Sequence, residues 1–269
     1  MEILFLGTSG HGITLERNLP SILIDRCILF DCGEGTLKSL KQNHISVTEI
    51  KYIFISHLHA DHWMGLLALL WESALYSREN LKIPQCSPEI FVPEGMKDHV
   101  LTLIRLTYSP FARVKFQVKV TELPQNANHP LIIQGRTSHF QIEWLTTEHL
   151  PLCYAFRINN VLGISGDTRP SENLIPFFSK LLTLIHEATF SDDDSELAHK
   201  LKHSTPSDCA RLGHKAGVLC IILTHVPPLT GEKEKIFLKD AKKIFSNIIV
   251  ARDSEKFKIS SDFVERTPN

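Results

Sequence analysis

The 269-residue sequence has no Cys-x-x-Cys pair: Cys27, Cys32, Cys86, Cys153, Cys209 and Cys220 are scattered along it. That excludes a disulfide scaffold and a thiolate zinc site, and it points to a reducing compartment. There is no run of the roughly 18 apolar residues that a membrane span needs. The start, Met1-Glu2-Ile3-Leu4-Phe5-Leu6-Gly7, has an acid where a signal peptide has a basic region, and it has no cleavage site. A cytoplasmic protein with no membrane partner is therefore expected. Charge of one sign is also missing: 29 Lys and Arg against 30 Asp and Glu leave a net charge of −1. An overall basic nucleic-acid binder is excluded, although a local basic patch is not, and bound divalent metals would themselves make one face electropositive. No linker, repeat or low-complexity tract divides the chain, so residues 1–269 are expected to form a single domain.

What the sequence does contain is a normal core, with 43% hydrophobic and 22% charged residues. Short runs rich in β-branched and aromatic residues read as strands: Ile3–Leu6, Ser21–Ile24, Ile28–Phe30, Tyr52–Ile55, Ile90–Val92, Val114–Val120, Leu131–Gln134, Gln141–Leu145, Cys153–Ile158, Val161–Ile164, Leu182–Ile185, Val218–Leu223 and Ile248–Val250. Helical patterns lie between them at Gly35–Gln42, Asp61–Tyr76, Gly95–Leu106, Glu196–Leu201, Ser207–Ala216 and Glu234–Phe245. A hairpin is expected at Asn159-Asn160. The loose alternation predicts an α/β fold of layered sheets with helices outside. Asp192-Asp193-Asp194 reads as an exposed helix start.

The densest chemistry is His57-Leu58-His59-Ala60-Asp61-His62, four potential metal ligands in six positions between two apolar runs. Zinc takes imidazole and carboxylate donors about 2.0–2.2 Å away, and a strand that ends in a tight loop before a helix can converge them. A solvated polar loop is the bland alternative, and three histidines with an aspartate suit it poorly. Further candidates follow strand-like runs: Asp31 after Phe30, His149 after Glu148, Asp167 after Gly166 and His225 after Thr224. Taken singly, either histidine could be a hydrogen-bonded turn residue and Asp167 a turn or helix cap.

Taken together, the set resembles the metallo-β-lactamase superfamily over essentially the whole chain. The resemblance implies a four-layer αββα sandwich of two similar halves with a dinuclear centre at one edge. It implies one zinc on His57, His59 and His149, another on Asp61, His62 and His225, and Asp167 bridging the two. Asp31 would orient a ligand histidine from behind. Zinc is expected, and manganese would accept the same donors. Two such ions activate water and neutralise charge on the attacked group, so the resemblance implies hydrolysis.

Fold alone leaves the substrate open. Three further segments, Glu16-Arg17-Asn18, His186-Glu187-Ala188-Thr189-Phe190 and His203-Ser204-Thr205, together with Asp167-Thr168-Arg169-Pro170, resemble ribonuclease Z, which removes the 3′ trailer of precursor tRNA. That implies catalytic roles for Asp61, as base or orienter of the nucleophile, and for His203, as proton donor held by Glu187. Arg17 reads equally as a phosphate contact or as a surface charge. Glu187 and His203 could also be an ordinary polar pair, and His186 reads as structural. The resemblance also implies a homodimer.

One feature departs from that family. Its short-form members extend a flexible arm where this chain runs from Ile158 through Asn159-Asn160 straight into Val161. The arm grips tRNA, so a small phosphodiester or cyclic nucleotide is the leading alternative substrate. Hydrolysis of a thioester, lactone or β-lactam would not call for Glu187 and His203. A non-catalytic binding module would not need the full ligand set.

Overall fold

The computed structural model describes residues 1–10, 12–79, 87–108, 118–126, 129–260 and 264–267. His11, Cys86 and residues 114–117 of one expected strand lie outside the described residues.

Two sheets face each other. The first contains β1 (Glu2–Gly7), β2 (Ser21–Ile24), β3 (Ile28–Phe30), β4 (Tyr52–Phe54), β5 (Glu89–Pro93) and β6 (Lys119–Leu123), with β14 (Lys256–Ile259) and β15 (Val264–Thr267) added beyond β1. The second contains β7 (Leu131–Gln134), β8 (His139–Thr146), β9 (Tyr154–Ile158), β10 (Leu162–Ile164), β11 (Thr183–Glu187), β12 (Cys220–Thr224) and β13 (Ile248–Val250). Their inner faces share one core, in which Ile3 and Phe5 of β1 meet strands of the second sheet such as Phe156 and Ile222. The alternate residues Leu4 and Leu6 face the other way, into a second core with helices α1 (Thr36–Gln42), α2 (Leu66–Glu79) and α3 (Lys97–Tyr108). On the far side Ile221 and Leu223 of β12 pack beneath α4 (Leu174–Phe177), α6 (Pro206–Ala216), α7 (Glu232–Leu238) and α8 (Ala241–Ile244). The period of two that alternates side chains across a strand thus produces the four layers expected. Strands covered on both faces read as unbroken apolar runs for the same reason.

Each sheet is an antiparallel meander that continues as parallel crossovers, β3-β4-β5-β6 in one and β10-β11-β12-β13 in the other. Ligand sites in α/β sheets form outside the carboxyl ends of parallel strands. The carboxyl ends of β3, β4, β10, β11 and β12 lead into Asp31, His57, Asp167, Glu187 and His225, respectively.

The expected helix Glu234–Phe245 is two helices, α7 and α8, separated at Lys239-Asp240. Aspartate is a poor interior helix residue, and at the start of α8 its charge suits the helix dipole. Asp192–Asp194 forms the turn before α5 (Ser195–Lys200), and the Asp192 carboxylate accepts from the Ser207 amide and hydroxyl, capping α6 as well. No helix among the described residues is long and apolar enough to cross a membrane.

A close backbone approach sets the position of the metal-ligand loop. The Cys32 amide donates to the His62 carbonyl at 2.7 Å. A Cβ on Gly65 would lie 2.0 Å from the Gly33 carbonyl oxygen, and one on Gly33 would lie 2.4 Å from the Asp61 carbonyl oxygen. Gly65→Ala is therefore expected to destabilise the fold by about 1–3 kcal/mol through overpacking against backbone. A denaturant midpoint unchanged from wild type would refute this.

Candidate metal centre

Asp31 has a left-handed backbone, φ 57°, directly after β3. That turn aims its carboxylate at the start of the next loop, where Oδ1 accepts from the Ser56 amide at 2.7 Å and Oδ2 from the Ser56 hydroxyl at 3.0 Å. Oδ2 also lies 2.8 Å from His62 Nδ1. With Nδ1 donating to a carboxylate, the His62 Nε2 lone pair points the other way, into the site. Ser56 repeats the device: its hydroxyl gives its proton to Asp31 and accepts at 3.0 Å from His57 Nδ1. His149 Nδ1 donates to the Lys202 carbonyl at 3.0 Å, which leaves its Nε2 free as well.

The freed nitrogens gather around one carboxylate. Asp167 Oδ2 lies 3.5 Å from His62 Nε2, 3.6 Å from His57 Nε2, 3.7 Å from His225 Nε2 and 3.9 Å from His149 Nε2. Three groups of donors result, each within 4.8 Å: His57, His59, His149 and Asp167; Asp61, His62 and His225; and Asp167, His203 and His225. The structure thus brings together the seven residues singled out in the sequence, with Asp167 grouped with His57, His59 and His149 and, in the third group, with His203 and His225.

The donor chemistry fits divalent ions. His57 Nε2 is buried and has no hydrogen-bond partner among the described residues. His62 Nε2 and His225 Nε2 face each other at 3.2 Å, and His59 Nδ1 faces His149 Nε2 at 3.3 Å. Opposed imidazole lone pairs repel unless a cation lies between them. His57, His62, His149, His225 and Asp167 are buried, while Asp61 and His59 reach the surface and leave the centre accessible from their side.

Acting on protons rather than on ions, the same groups divide the ligand rings. Burial, reinforced by His62, pushes the His57 imidazole well below its ordinary pKa and keeps it neutral. Burial also opposes charge on His62, but Asp167 and Asp31 outweigh it and raise that ring well above the ordinary value. Burial favours the protonated form of Asp61 too, yet the rings of His225 and His62, 3.3 and 3.4 Å from Oδ2, hold the carboxyl below the usual range.

Glu187 ends β11 fully buried, and its carboxylate is saturated. Oε1 accepts from Thr168 N at 3.0 Å, Ser204 N at 3.2 Å and His203 Nδ1 at 3.0 Å. Oε2 accepts from Thr189 N at 3.0 Å and Thr189 Oγ1 at 2.7 Å. His203 precedes α6, whose start is set by Thr205: its hydroxyl and the Asp208 carboxylate form a reciprocal cap. The His203 ring also lies 3.9 Å from Asp167. Burial opposes its charge, but the hydrogen bond and charge of Glu187, with Asp167 behind, hold its pKa above the ordinary value.

Arg17 is not brought to this cluster. Its guanidinium is buried and donates to Thr8 Oγ1 at 2.5 Å and the Ala251 carbonyl at 2.8 Å. His186 is buried beside Cys209 and donates to the Glu187 carbonyl at 2.8 Å, a structural place. Sequence reasoning missed Ser56 and assigned nothing to Thr189. A hydroxyl directly before a ligand histidine, or two residues from the buried glutamate, is the signal that was available.

Residues 1–208 match the family described as Anti-Pycsar protein Apyc1. Ribonuclease Z of Halalkalibacterium halodurans is 28% identical over 312 aligned positions, covering 94% of this chain and 96% of that protein. Ribonuclease Z of Methanosarcina acetivorans is 28% identical over 308, covering 96% and 98%. Both alignments are longer than the 269 residues of this chain, so those relatives contain segments that it lacks. Among solved structures, human short-form tRNase Z superposes with a TM-score of 0.75 at 24% identity, covering 97% of this chain and 100% of that one. The metallo-β-lactamase fold protein YhfI of Bacillus subtilis gives 0.75 at 19%, covering 96% and 99%. The metallo-β-lactamase fold and the ribonuclease Z resemblance are both borne out over nearly the full length. The clusters of His and Asp are groups that could hold metal ions, set in a chain of the metallo-β-lactamase fold.

Proposed function

The chain belongs to the Anti-Pycsar protein Apyc1 family, and from its likeness to ribonuclease Z we propose a phosphodiesterase of the ribonuclease Z type that releases 3′ trailers from precursor tRNA. The observation that carries the phosphodiester part is the contact of His203 Nδ1 with Glu187 Oε1 at 3.0 Å, beside the donor cluster. Cleaving a phosphodiester at a ribose oxygen expels a poor leaving group that must be protonated. His203 is the group placed to protonate it, with Glu187 fixing the ring so that Nε2 is the atom presented. Asp61 is the carboxylate at the accessible side of the centre, positioned to orient the attacking nucleophile and accept its proton. His57, His59, His149 and Asp167 would hold one ion, and Asp61, His62 and His225 the other, with Asp167 shared. A pair of zinc ions would supply Lewis acidity and lower the pKa of water. We propose zinc as the native metal, with manganese an acceptable substitute, in a single-domain protein that acts as a homodimer in the cytoplasm.

A second reading, a small phosphodiester or a cyclic nucleotide as substrate, is favoured by two observations. β9 turns into β10 through Asn159 and Asn160, both left-handed at φ 51° and 54°, the geometry of a tight hairpin that has no arm. The ribonuclease Z relatives are also longer than this chain.

A substrate panel tests both readings: precursor tRNA with a 3′ trailer, bis(p-nitrophenyl) phosphate, a cyclic nucleotide, a thioester and a β-lactam. Release of the trailer is the expected result. Turnover of the small phosphodiester or cyclic nucleotide without tRNA cleavage would transfer the assignment to the second reading. Activity confined to the acyl substrates would overturn both.

A further inference from the structure

We propose that Thr189 is a positioning residue that ties the metal ligand His225 to the carboxylate holding the proton donor His203. Its hydroxyl lies 2.7 Å from Glu187 Oε2, 2.7 Å from His225 Nδ1 and 3.2 Å from His203 Nδ1. A hydroxyl has one proton and two lone pairs, whereas an ionised carboxylate can only accept. The Thr189 proton therefore goes to Glu187, and towards His225 the same oxygen can only accept. His225 Nδ1 must then carry the hydrogen. The Nε2 lone pair is left facing Asp61 Oδ2 at 3.3 Å and Asp167 Oδ2 at 3.7 Å, where an ion would sit.

The backbone does not supply this control by itself. His225 adopts a left-handed conformation, φ 52°, which sets where the ring begins but not which nitrogen is protonated. Gly10 backs the ring so closely that a Cβ there would lie 2.6 Å from His225 Nδ1. Thr189 occupies the remaining approach with a hydrogen-bonding group. Glu187, already saturated on Oε1 by Thr168, Ser204 and His203, reaches the second histidine only through this hydroxyl. The same relay appears in the other half of the site, where Ser56 passes its proton to Asp31 and accepts from His57. Hydroxyl–carboxylate relays thus fix one ligand histidine on each side of the centre.

This inference rests on His225 holding an ion, as proposed above, and it does not depend on the substrate. The test compares wild type with Thr189→Val, Thr189→Ala and Thr189→Ser. Nitrogen NMR of the histidine rings in the metal-free protein, at a pH where His225 is neutral, reads the tautomer. Competition of zinc alone against a chelating dye reads affinity. Wild type and Thr189→Ser are expected to show a single Nδ1–H tautomer of His225 and the same zinc affinity. Thr189→Ala and Thr189→Val should show a tautomer mixture and lose about 10–100-fold in zinc affinity, the range for removing a partner behind a metal ligand. Thr189→Ala adds no methyl group against the packed core, so it supplies the result if the valine variant does not fold. The proposal is overturned if the hydroxyl-free variants keep the wild-type tautomer and affinity, or if serine fails to restore them. A wild-type protein that takes up no zinc would instead overturn the metal reading on which the proposal stands.

Discussion

His203→Ala is expected to slow cleavage of a phosphodiester with a nucleoside leaving group by about 10²–10⁴-fold, the usual contribution of a positioned general acid. It should leave bis(p-nitrophenyl) phosphate almost unaffected, because nitrophenolate departs without a proton. The contrast follows from where the ring is held. Its Nδ1 is engaged by Glu187 Oε1 at 3.0 Å, so Nε2 is the nitrogen free to meet a leaving oxygen. His203 also falls within a third group of donors, with Asp167 and His225. A ligand role is the competing explanation, and it predicts something different. Losing a ligand would reduce metal content and slow both substrates together. Steady-state rates on the two substrates, with metal analysis of the same samples, separate the cases: equal slowing accompanied by metal loss would remove the proton-donor assignment. Glu187→Gln should resemble His203→Ala in its leaving-group dependence, since an amide cannot accept from all five of the donors that Glu187 now satisfies.

The candidate metal ligands were legible in the sequence because their chemistry is local and dense. His57, His59, Asp61 and His62 share one loop; Asp31 and His225 each directly follow a short apolar run that proved to be a strand, and Asp167 follows another after Ser165-Gly166. The fold was legible for a related reason, since strands buried on both faces leave unbroken apolar runs such as Cys220–Thr224. The last two strands were not. In β14, Lys256-Phe257-Lys258-Ile259 buries only alternate residues, and β15 has mostly exposed side chains, so neither carries enough apolar signal over four residues. Arg17 shows the opposite limit. Its residue type suits a phosphate contact or a surface charge equally, yet here burial and two internal hydrogen bonds turn it into a strut. Ser56 and Thr189 were missed because their roles depend on the direction in which a proton is donated, which only the surrounding geometry fixes.

Asp167→Asn should abolish the coupling between metal and stability that is expected of wild type. One oxygen, Oδ2, approaches the nitrogens of His57, His62, His149 and His225, so it is the one carboxylate shared by both donor groups. Burial alone would protonate this carboxyl, but His225, His62 and His57 outweigh it and hold its pKa well below the ordinary value. The site is thus built around a negative charge. An amide there keeps the shape, removes the charge and presents either a weaker acceptor or an NH₂ group that repels a cation. Ions that bind only the folded state stabilise it by about 2.7 kcal/mol when supplied at 100 times their dissociation constant. Wild type should accordingly lose several degrees of Tm when a chelator is added, whereas Asp167→Asn should melt at nearly the same temperature with and without it. Turnover should fall on the order of 10³-fold or more, since the several kcal/mol that ions contribute to transition-state charge are lost with them. Calorimetric scans with and without chelator, alongside metal analysis, decide the matter. A chelator-dependent Tm that survives in Asp167→Asn would mean that the two donor groups bind metal independently, and that Asp167 does not join them.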